Sequence, residues 1–336
     1  MNKKTLFFAI FLSVAVLMIG GCGSSSSGTK TSGVTIKLAH PNVPTHPMGE
    51  GFIKFKEMVE DRSNGEIKVE IYDSSKYGDA REVVEGLQLG HLQMGSDSTA
   101  NVQPFTDGFL VFDMPFLVSD YPSSDQLTDG PIGEKLKNSL EDSGILGLGY
   151  IELGFRNYFN DKHPIKTMED LKGLKIRSTS SEAQIATLKA VGANPTPVAW
   201  GEVYTALQQG TVDGIEIDLN LAYHNNFHEV QDYLTIVKSV YSPHLVMINK
   251  DFFNGLSEEH KTIIQESFDE MKVLQRKLIR ENEDRIIKEL EEKGVEVHIM
   301  EEKERERLME ATSGVIEEYK DKIGEDLLEE FIEAAQ

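Results

Sequence analysis

Two arginines, Arg156 and Arg177, are the side chains in this sequence best suited to bind a small anion. Arg156 lies in the segment GFRN, just after an apolar run that predicts a buried strand, and Arg177 ends the predicted strand GLKIR. A guanidinium presents a planar fork that matches a carboxylate in a bidentate manner, and it stays protonated. In open α/β sheets, ligands bind beyond the carboxyl ends of the strands, which is where we expect Arg177. For either arginine, an ion pair with a neighbouring Asp or Glu is the alternative.

The background against which these arginines stand is strongly acidic. The 336 residues include 34 Lys and Arg against 56 Asp and Glu, a formal net charge of -22. Because phosphate contacts need clustered cations, this balance excludes general nucleic-acid binding and disfavours adsorption to anionic lipid. An apolar share of 39% is enough for packed cores, and the length favours two domains of ordinary size.

Signatures of catalysis are scarce in the chain. It contains no HExxH, no GxSxG, no Walker loop and no GxGxxG after the first predicted strand. His224 and His228 have an i,i+4 spacing, but no third metal ligand accompanies them. We therefore predict that the protein is not an enzyme and needs neither a cofactor nor a metal.

The N-terminus predicts export and a lipid anchor. Lys3 and Lys4 precede an apolar run over residues 6–19, which is too short to span a bilayer comfortably. The run ends in Gly-Gly-Cys22, which resembles a bacterial lipobox, and a Ser/Gly/Thr-rich segment follows. We expect a signal peptide over 1–21, then a lipidated Cys22 and a flexible linker over 22–33. A short transmembrane anchor with an incidental cysteine is the alternative.

Alternating periodicities predict an α/β protein with largely parallel sheets. Strands are predicted over residues 34–40, 67–72, 93–96, 145–151, 174–177, 212–217, 245–248 and 295–299. Helices are predicted over residues 48–62, 83–89, 183–191 and 202–209, and two acidic helices end the chain.

One predicted helix is much longer than the others. Residues 258–293 contain no Gly or Pro, and Ser257 and Gly294 suit the N-terminal and C-terminal caps. At 1.5 Å per residue, this helix would be about 54 Å long, which exceeds the width of a small domain. A coiled coil is an alternative, but the heptad fails after Leu278. We expect a helix that lies across two domains.

The segment WGEVYTALQQGTVDGIE over residues 200–216 closely resembles the signature of solute-binding proteins of TRAP (tripartite ATP-independent periplasmic) transporters. The resemblance continues, in order along the chain, through SKYGDARE (75–82), DLKGLKIR (170–177), GANPTP (192–197) and FHEVQDYL (227–234). It thus covers nearly all of the sequence after the linker.

The resemblance implies a two-lobed, periplasmic-binding-protein-like α/β fold in which a long helix spans both lobes and the lobes close around an organic anion. We expect residues 34–153 and 242–281 to form domain I, and residues 154–241 and 282–336 to form domain II. Arg177 matches the arginine that pairs with the ligand carboxylate in this family, and Arg156 matches a second, less universal one. Trp200 matches an aromatic or apolar ligand contact, although a plain core position is the alternative.

The segment after the signature departs from the family pattern. Ile217 follows Glu216 where the family often has Asn, which argues against a simple small dicarboxylate as the ligand. Acceptors at Glu216 and Asp218 would suit a ligand with hydroxyl donors, such as an aldonate or a uronate. Asp218 could equally cap the following helix.

Further candidates for the cleft lie where predicted strands and helices end. His40 ends the first strand, Asp79 opens a helix, and Asp97 lies just past the third strand. Each could instead cap a helix or complete a turn. Tyr241 lies near an expected hinge crossing.

These observations predict an extracytoplasmic receptor that captures a small organic acid, preferably a sugar acid, and delivers it to TRAP permease subunits in the membrane. A C4-dicarboxylate or 2-keto acid receptor of the same family is the alternative ligand class. Competing classes are an ABC-type binding lipoprotein, an extracytoplasmic enzyme and a purely structural surface lipoprotein.

Overall fold

The structure is a computed structural model that describes residues 33–335. The predicted signal peptide, Cys22 and the linker up to residue 32 lie outside the described residues. Residues 33–335 form ten strands and twelve α-helices. The strands are β1 (Val34–Ala39), β2 (Ile67–Tyr72), β3 (Met94–Ser98), β4 (Ile145–Asn160), β5 (Lys175–Ser178), β6 (Asn194–Pro197), β7 (Gly214–Asp218), β8 (Tyr233–Ile236), β9 (Tyr241–Asn249) and β10 (Glu296–Ile299). The helices are α1 (Pro47–Arg62), α2 (Ala80–Gln88), α3 (Thr99–Val102), α4 (Tyr121–Asp129), α5 (Pro131–Asn138), α6 (Glu182–Ala190), α7 (Val203–Gln208), α8 (Leu219–His224), α9 (Lys250–Asn254), α10 (Glu258–Glu292), α11 (Glu302–Ile323) and α12 (Glu325–Ala334).

The strands form two sheets that share β4. The first sheet has the order β2-β1-β3-β9-β4, and the second has the order β6-β5-β7-β4-β8-β10. The outer neighbours are parallel, as the alternating pattern predicts, whereas β4 and β9 run antiparallel to the strands beside them. The sheets are therefore mixed, because the two strands that link the halves of the molecule run against the rest.

Strand β4 passes from one sheet into the other at a glycine. Its residues up to Phe155 pair with β9, and its residues from Arg156 onward pair with β7. A register shift lies between Glu152 and Gly154, and Gly154 has φ +109°, a conformation that favours glycine. The prediction that this strand ends at residue 151 is wrong, because its glycines form bulges instead of strand ends. Arg156 consequently lies inside the strand instead of after it.

The long helix is present and lies across both sheets. Helix α10 has 35 residues; the side chain of Ser257 accepts a hydrogen bond from the backbone N–H of His260, and Gly294 follows the helix with φ +95°. Phe268 packs directly on Gly149 of β4, where an added Cβ would come within 2.5 Å of the ring. Further along, the backbone carbonyl of Ile279 accepts a hydrogen bond from the Asn220 amide of α8 at 3.2 Å. The predicted α/β fold with a helix spanning both halves is confirmed.

A buried ionic network fastens α10 to the point where β4 changes sheets. Arg280 contacts the fully buried Glu152 carboxylate at 2.8 Å and Asp125 at 2.6 Å. The side-chain amide of Gln275 bonds both the N–H and the C=O of Glu152, at 2.9 and 2.6 Å. Glu152 is fully buried, whereas Arg280 and Asp125 are partly exposed, so removing Arg280 would leave a buried carboxylate without its charged partner. The predicted domain limits near residues 153 and 242 stay a proposal, which the change of strand pairing after Phe155 supports.

No helix within residues 33–335 combines the length and the apolar character needed to cross a membrane.

Candidate functional site

A cavity of about 840 Å³ lies between the ends of the two sheets. Its volume falls in the range of about 300–1,000 Å³ that is typical of small-molecule sites. Both sheets contribute to its lining, which includes Asn42, Ser75, Asp79, Arg81, Asp97, Ser98, Asn101, Leu153, Arg156, Arg177, Thr179, Ser180, Val198, Trp200, Ile217, Asp218, Leu221, Ser242 and His244.

Arg177 is fixed in the wall of this cavity by its own sheet. Its Nε and Nη2 donate to the backbone carbonyl of Val198, at 3.1 and 2.9 Å, and its guanidinium lies 5.8 Å from the centre of the Trp200 ring. Burial, together with the charge of Arg156, lowers the pKa of Arg177 to about 9. The side chain therefore still carries its charge at neutral pH.

Arg156 is held in a similar way. Its Nε and Nη2 donate to the backbone carbonyl of Glu216, at 3.2 and 2.8 Å, and the side chain is buried. Neither Arg156 nor Arg177 forms an ion pair with any residue of the described part of the chain. The alternative in which each arginine serves an ion pair is therefore not supported. Two fixed positive charges share one cavity without a paired carboxylate.

The wall next to the arginines is largely apolar. Its apolar side chains are Trp200, Leu153, Val198, Ile217 and Leu221, and the polar Asp218, Thr179 and Ser180 also line the cavity near the arginines. Trp200 also packs against Phe227, with ring centres 5.9 Å apart, so it is both a core residue and a cavity residue. Such a wall excludes water from the neighbourhood of the charges, which strengthens their interaction with an anion.

The wall contributed by the first sheet is polar. Asp97 accepts hydrogen bonds from the Asn101 side chain at 2.7 Å and from the Ser98 backbone at 2.8 Å, and burial raises the pKa of Asp97 to about 6 despite these bonds. His244 lies nearby, and burial lowers its pKa to about 3, so its ring is neutral. Asp97 lies within β3 instead of past it. The sequence analysis missed Asn101 and His244, because α3 is very short and the predicted strand began only at residue 245.

Two aspartates of the lining also cap helices. The Asp79 carboxylate accepts from the backbone of Arg81 and Glu82 at 3.0 and 3.1 Å, which begins α2. The Asp218 carboxylate accepts from the backbone of Leu221 at 2.9 Å, and burial raises the pKa of Asp218 to about 7. The capping role considered for Asp218 is therefore present, and the same side chain also lines the cavity.

The family model described as "Bacterial extracellular solute-binding protein, family 7" matches residues 38–322. The chain is 39% identical over 247 residues to the 2,3-diketo-L-gulonate-binding periplasmic protein of Escherichia coli K12, covering 73% of this chain and 74% of that one. It is 32% identical to the C4-dicarboxylate-binding periplasmic protein of Rhodobacter capsulatus, covering 88% and 89% of the two chains. The crystal structure of a sugar acid binding protein from Advenella mimigardefordensis with galactonate superimposes with a TM-score of 0.88 at 32% identity, covering 90% and 98%.

The chain belongs to the TRAP solute-binding proteins. Their two-lobed α/β fold is the architecture described above, in which the long helix crosses both lobes. The family is one of extracytoplasmic substrate-binding proteins.

In this TRAP solute-binding protein, three predicted ligand contacts lie outside the cavity lining. The Glu216 carboxylate accepts a hydrogen bond from the Ser239 hydroxyl, while its backbone carbonyl holds Arg156. The Tyr241 hydroxyl donates to Glu152 at 3.2 Å, and His40 stacks on Phe52 with ring centres 5.0 Å apart. These residues were predicted from their positions at or near strand ends, and such a position does not show on which face of the sheet the side chain lies. Their roles as ligand contacts stay predictions that these placements do not support.

Within residues 33–335, no three His, Cys, Asp or Glu side chains are grouped so that they could hold a metal ion. Four buried or half-buried histidines nevertheless lie near one another, and His244 among them lines the cavity: His40, His46, His224 and His244. The rings of His46 and His224 meet edge to face, with centres 5.6 Å apart. Burial lowers the pKa of all four, and in His46 the other three histidines lower it further.

We expect His40 to make the folded protein less stable in mild acid. Burial lowers the pKa of His40 from 6.5 to about 4. Above pH 6.5 the ring is neutral in both the folded and the unfolded chain, so it adds no pH dependence. Between pH 6.5 and about 4, the unfolded chain binds a proton that the folded chain excludes. The contribution of His40 to the free energy of unfolding therefore falls by about 1.4 kcal/mol per pH unit as the pH decreases.

The measurement is denaturant unfolding of the wild type and of His40→Phe from pH 7 to pH 4.5. The difference between the two proteins isolates His40 from Asp97 and Asp218, whose raised pKa values act in the opposite direction. His91→Phe, at an exposed position, is the matched control. Equal pH slopes for the wild type and His40→Phe would contradict the prediction.

Proposed function

We propose that this protein is the extracytoplasmic receptor of a TRAP-type transporter and that it captures a hydroxylated organic acid of the aldonate or uronate class. The observation that carries the proposal is the pair of buried arginines, Arg156 and Arg177, which share a cavity and form no ion pair with any described residue. The receptor delivers the bound acid to membrane permease subunits, which complete the transporter.

Capture begins at the arginines. Each guanidinium uses Nε and Nη2 to bond a backbone carbonyl, so its orientation is fixed before the ligand arrives. A carboxylate between them receives charge-assisted hydrogen bonds and relieves the repulsion between the two positive charges. Closure of the two lobes then excludes water, and the lower local dielectric strengthens these bonds.

The opposite wall supports a hydroxylated ligand over a dicarboxylate. Asp97 accepts hydrogen bonds from hydroxyl groups, and the neutral His244 ring is able to donate or accept one. A second ligand carboxylate would face Asp97, a like charge. Arg81 also lines the cavity, but it is largely exposed and already paired with Glu85 at 2.7 Å. Similarity to proteins named for 2,3-diketo-L-gulonate and galactonate supports the same ligand class.

A C4-dicarboxylate is the second candidate ligand. Similarity to the Rhodobacter capsulatus protein, which is named for such ligands, favours it. A thermal-shift panel of galactonate, galacturonate, 2,3-diketo-L-gulonate, succinate and pyruvate separates the two. Binding to the native state alone raises the free energy of unfolding by RT ln(1 + [L]/Kd), about 2.7 kcal/mol at a hundredfold excess over Kd. No stabilisation by any of these acids would contradict the proposed ligand class.

Lipid anchoring at Cys22 completes the proposal. The charged start, the short apolar run and the small residues before the cysteine support export and lipidation. The Ser/Gly-rich segment that follows would tether the receptor flexibly to the membrane, close to the permease.

Arg177→Ala should abolish tight binding of the acid that stabilises the wild type. Removing one partner of a buried, hydrogen-bonded charge pair costs about 2–5 kcal/mol, which corresponds to a loss of at least about thirtyfold in Kd. Arg177→Lys keeps the positive charge but loses the planar, two-donor guanidinium. Its affinity for the acid should therefore lie between those of the wild type and Arg177→Ala. Isothermal titration calorimetry measures the affinities, and far-ultraviolet circular dichroism verifies the fold. The control is Arg285→Ala, at a half-exposed position outside the cavity lining; wild-type affinity in Arg177→Ala would overturn the proposal.

Asp97→Asn should weaken binding of galactonate about tenfold and leave binding of succinate unchanged or improved, because a charged acceptor bonds a hydroxyl more strongly than a neutral one. The same change should alter the pH profile. Ligand hydroxyls favour the ionised carboxylate, so wild-type affinity for galactonate should fall as the pH decreases through about 6. The asparagine variant should show a flatter profile in calorimetric titrations. Asp251→Asn, at an exposed position in α9, is the control, and an equal loss for both ligands would argue against a role in selectivity.

Cys22→Ser should move the protein from the membrane fraction to the soluble extracytoplasmic fraction, because the thiol that carries the lipid is lost. Fractionation followed by immunoblotting measures the distribution. Ser25→Ala, three residues away, should leave the protein in the membrane fraction. Retention of Cys22→Ser in the membrane would favour the alternative of a transmembrane anchor.

A further inference from the structure

Asp113 is a buried carboxylate that lies outside the cavity lining but bonds the segment next to Arg177. Its two oxygens accept hydrogen bonds from the Ser181 hydroxyl and the Gln184 amide, both at 2.8 Å. The side chain is only 3% exposed. Ser181 is the N-cap of α6, at the end of the turn that follows β5 and Arg177, and Gln184 lies in the first turn of α6.

The hydrogen bonds continue from Asp113 to the cavity wall. The Gln184 side-chain oxygen accepts from the Thr179 hydroxyl at 2.8 Å, and the backbone N–H of Ser181 donates to the same hydroxyl at 3.1 Å. Thr179 and Ser180 line the cavity, two and three residues after Arg177. A chain of neutral donors thus joins a buried carboxylate to the rim of the anion site.

The bonds tie together two parts of the chain that are far apart in sequence. Asp113 ends the 3₁₀ segment Asp107–Asp113, whose apolar side chains pack in a cluster with Leu245 and Met247 of β9 in the first sheet. Its partners are 68 and 71 residues away and follow a strand of the second sheet. Asp113 therefore fixes the position of the β5–α6 turn relative to the first sheet.

The electrostatic surroundings of Asp113 fit this role. Burial raises the pKa of Asp113, and the bonds from Gln184 and Ser181, together with the charge of Arg156, oppose that rise. The carboxylate thus lies within the field of one of the two arginines without pairing with it.

We propose that Asp113 is a positioning residue for the anion site: by holding Ser181 and Gln184, it fixes the turn that contains Thr179 and follows the strand that carries Arg177. Asp113 does not touch the ligand. The proposal rests on the proposed function for its effect on affinity, but its effect on the position of Arg177 is measurable without any ligand.

The test compares Asp113→Asn with the double variant Asp113→Asn, Gln184→Glu. The single change removes the charge and leaves one acceptor oxygen at position 113, so only one of the Ser181 and Gln184 donors keeps its acceptor. In the double variant, the carboxylate introduced at position 184 accepts from both the amide introduced at position 113 and the Thr179 hydroxyl. The chain of hydrogen bonds is thereby rebuilt, with the charge moved to the other partner. Thr312→Val is the control, because Thr312 is a buried hydroxyl in α11 that bonds only backbone carbonyls of its own helix.

Two measurements are made on each full-length protein. The first is the calorimetric Kd for galactonate, which Asp113→Asn should raise at least about fivefold and the double variant should restore. The second is acrylamide quenching of Trp200 fluorescence in the absence of ligand. Trp200 is the single tryptophan of the chain and lies under the Arg177 guanidinium, so its accessibility reports on this rim. Quenching should increase in Asp113→Asn and return to the wild-type level in the double variant.

Each outcome decides a separate point. Wild-type quenching in Asp113→Asn, or a double variant no better than the single one, overturns the positioning role. If galactonate binds none of the proteins while the quenching pattern holds, the positioning of Arg177 stands and the proposed ligand class fails. If Asp113→Asn does not fold, Gln184→Met replaces it, since that change cuts the link to Thr179 and keeps the Ser181 bond; unchanged quenching in Gln184→Met overturns the proposal.

Discussion

The structure depends on two like charges that are buried together without a counter-ion among the described residues. Arg156 and Arg177 both line the cavity, and the charge of Arg156 lowers the pKa of Arg177. Burying a charge is costly unless it is hydrogen-bonded and compensated. Here the backbone carbonyls of Glu216 and Val198 supply the hydrogen bonds. The carboxyl groups of Asp113 and Asp218 interact with the charge of Arg156 without forming an ion pair with it, and we propose that a bound anion completes the compensation. The protein has a net charge of -22 and contains 56 Asp and Glu residues. Among residues 33–335, no Asp or Glu forms an ion pair with either guanidinium.

The strands determine where the arginines lie relative to the cavity. Arg156 faces the cavity because β4 bends at Gly154 and enters the second sheet immediately after Phe155. The bend is held by Glu152, whose carboxylate, N–H and C=O are all bonded to α10 or to its arginines. The acidic residue nearest in sequence to this arginine is therefore committed to the helix.

Sequence reasoning succeeded where a pattern has one physical explanation. The run without Gly or Pro after Ser257 predicts a helix whose observed end differs by one residue, because capping and helical spacing agree there. The arginines were found from residue type together with the resemblance to the family. The prediction was wrong where a residue type has two structural roles. Glycine can end a strand or form a bulge within it, and the glycines of β4 form bulges, so the predicted strand stops short of Arg156. The segment around Asn101 and Asp113 forms short helices without a long period, so neither residue gave a signal. His40 and Tyr241 are buried in the core, and their positions at predicted strand ends do not predict on which side of the sheet a side chain lies.

The division of the cavity into two unlike walls explains how an acidic protein can select an acid. Salt largely screens exposed charges that lie more than about 10 Å apart, so the negative surface acts only weakly on a ligand inside the cavity. Inside the cavity, Trp200 and Ile217 place apolar surface beside the arginines, and neither arginine is in an ion pair with a described residue. We propose that a carboxylate binds there in spite of the overall sign. At the other wall, Asp97 repels a second negative charge and accepts hydroxyl donors. We therefore propose a ligand whose single carboxylate binds the arginines and whose hydroxyl groups reach Asp97. The second carboxylate of a dicarboxylate would instead be repelled by Asp97.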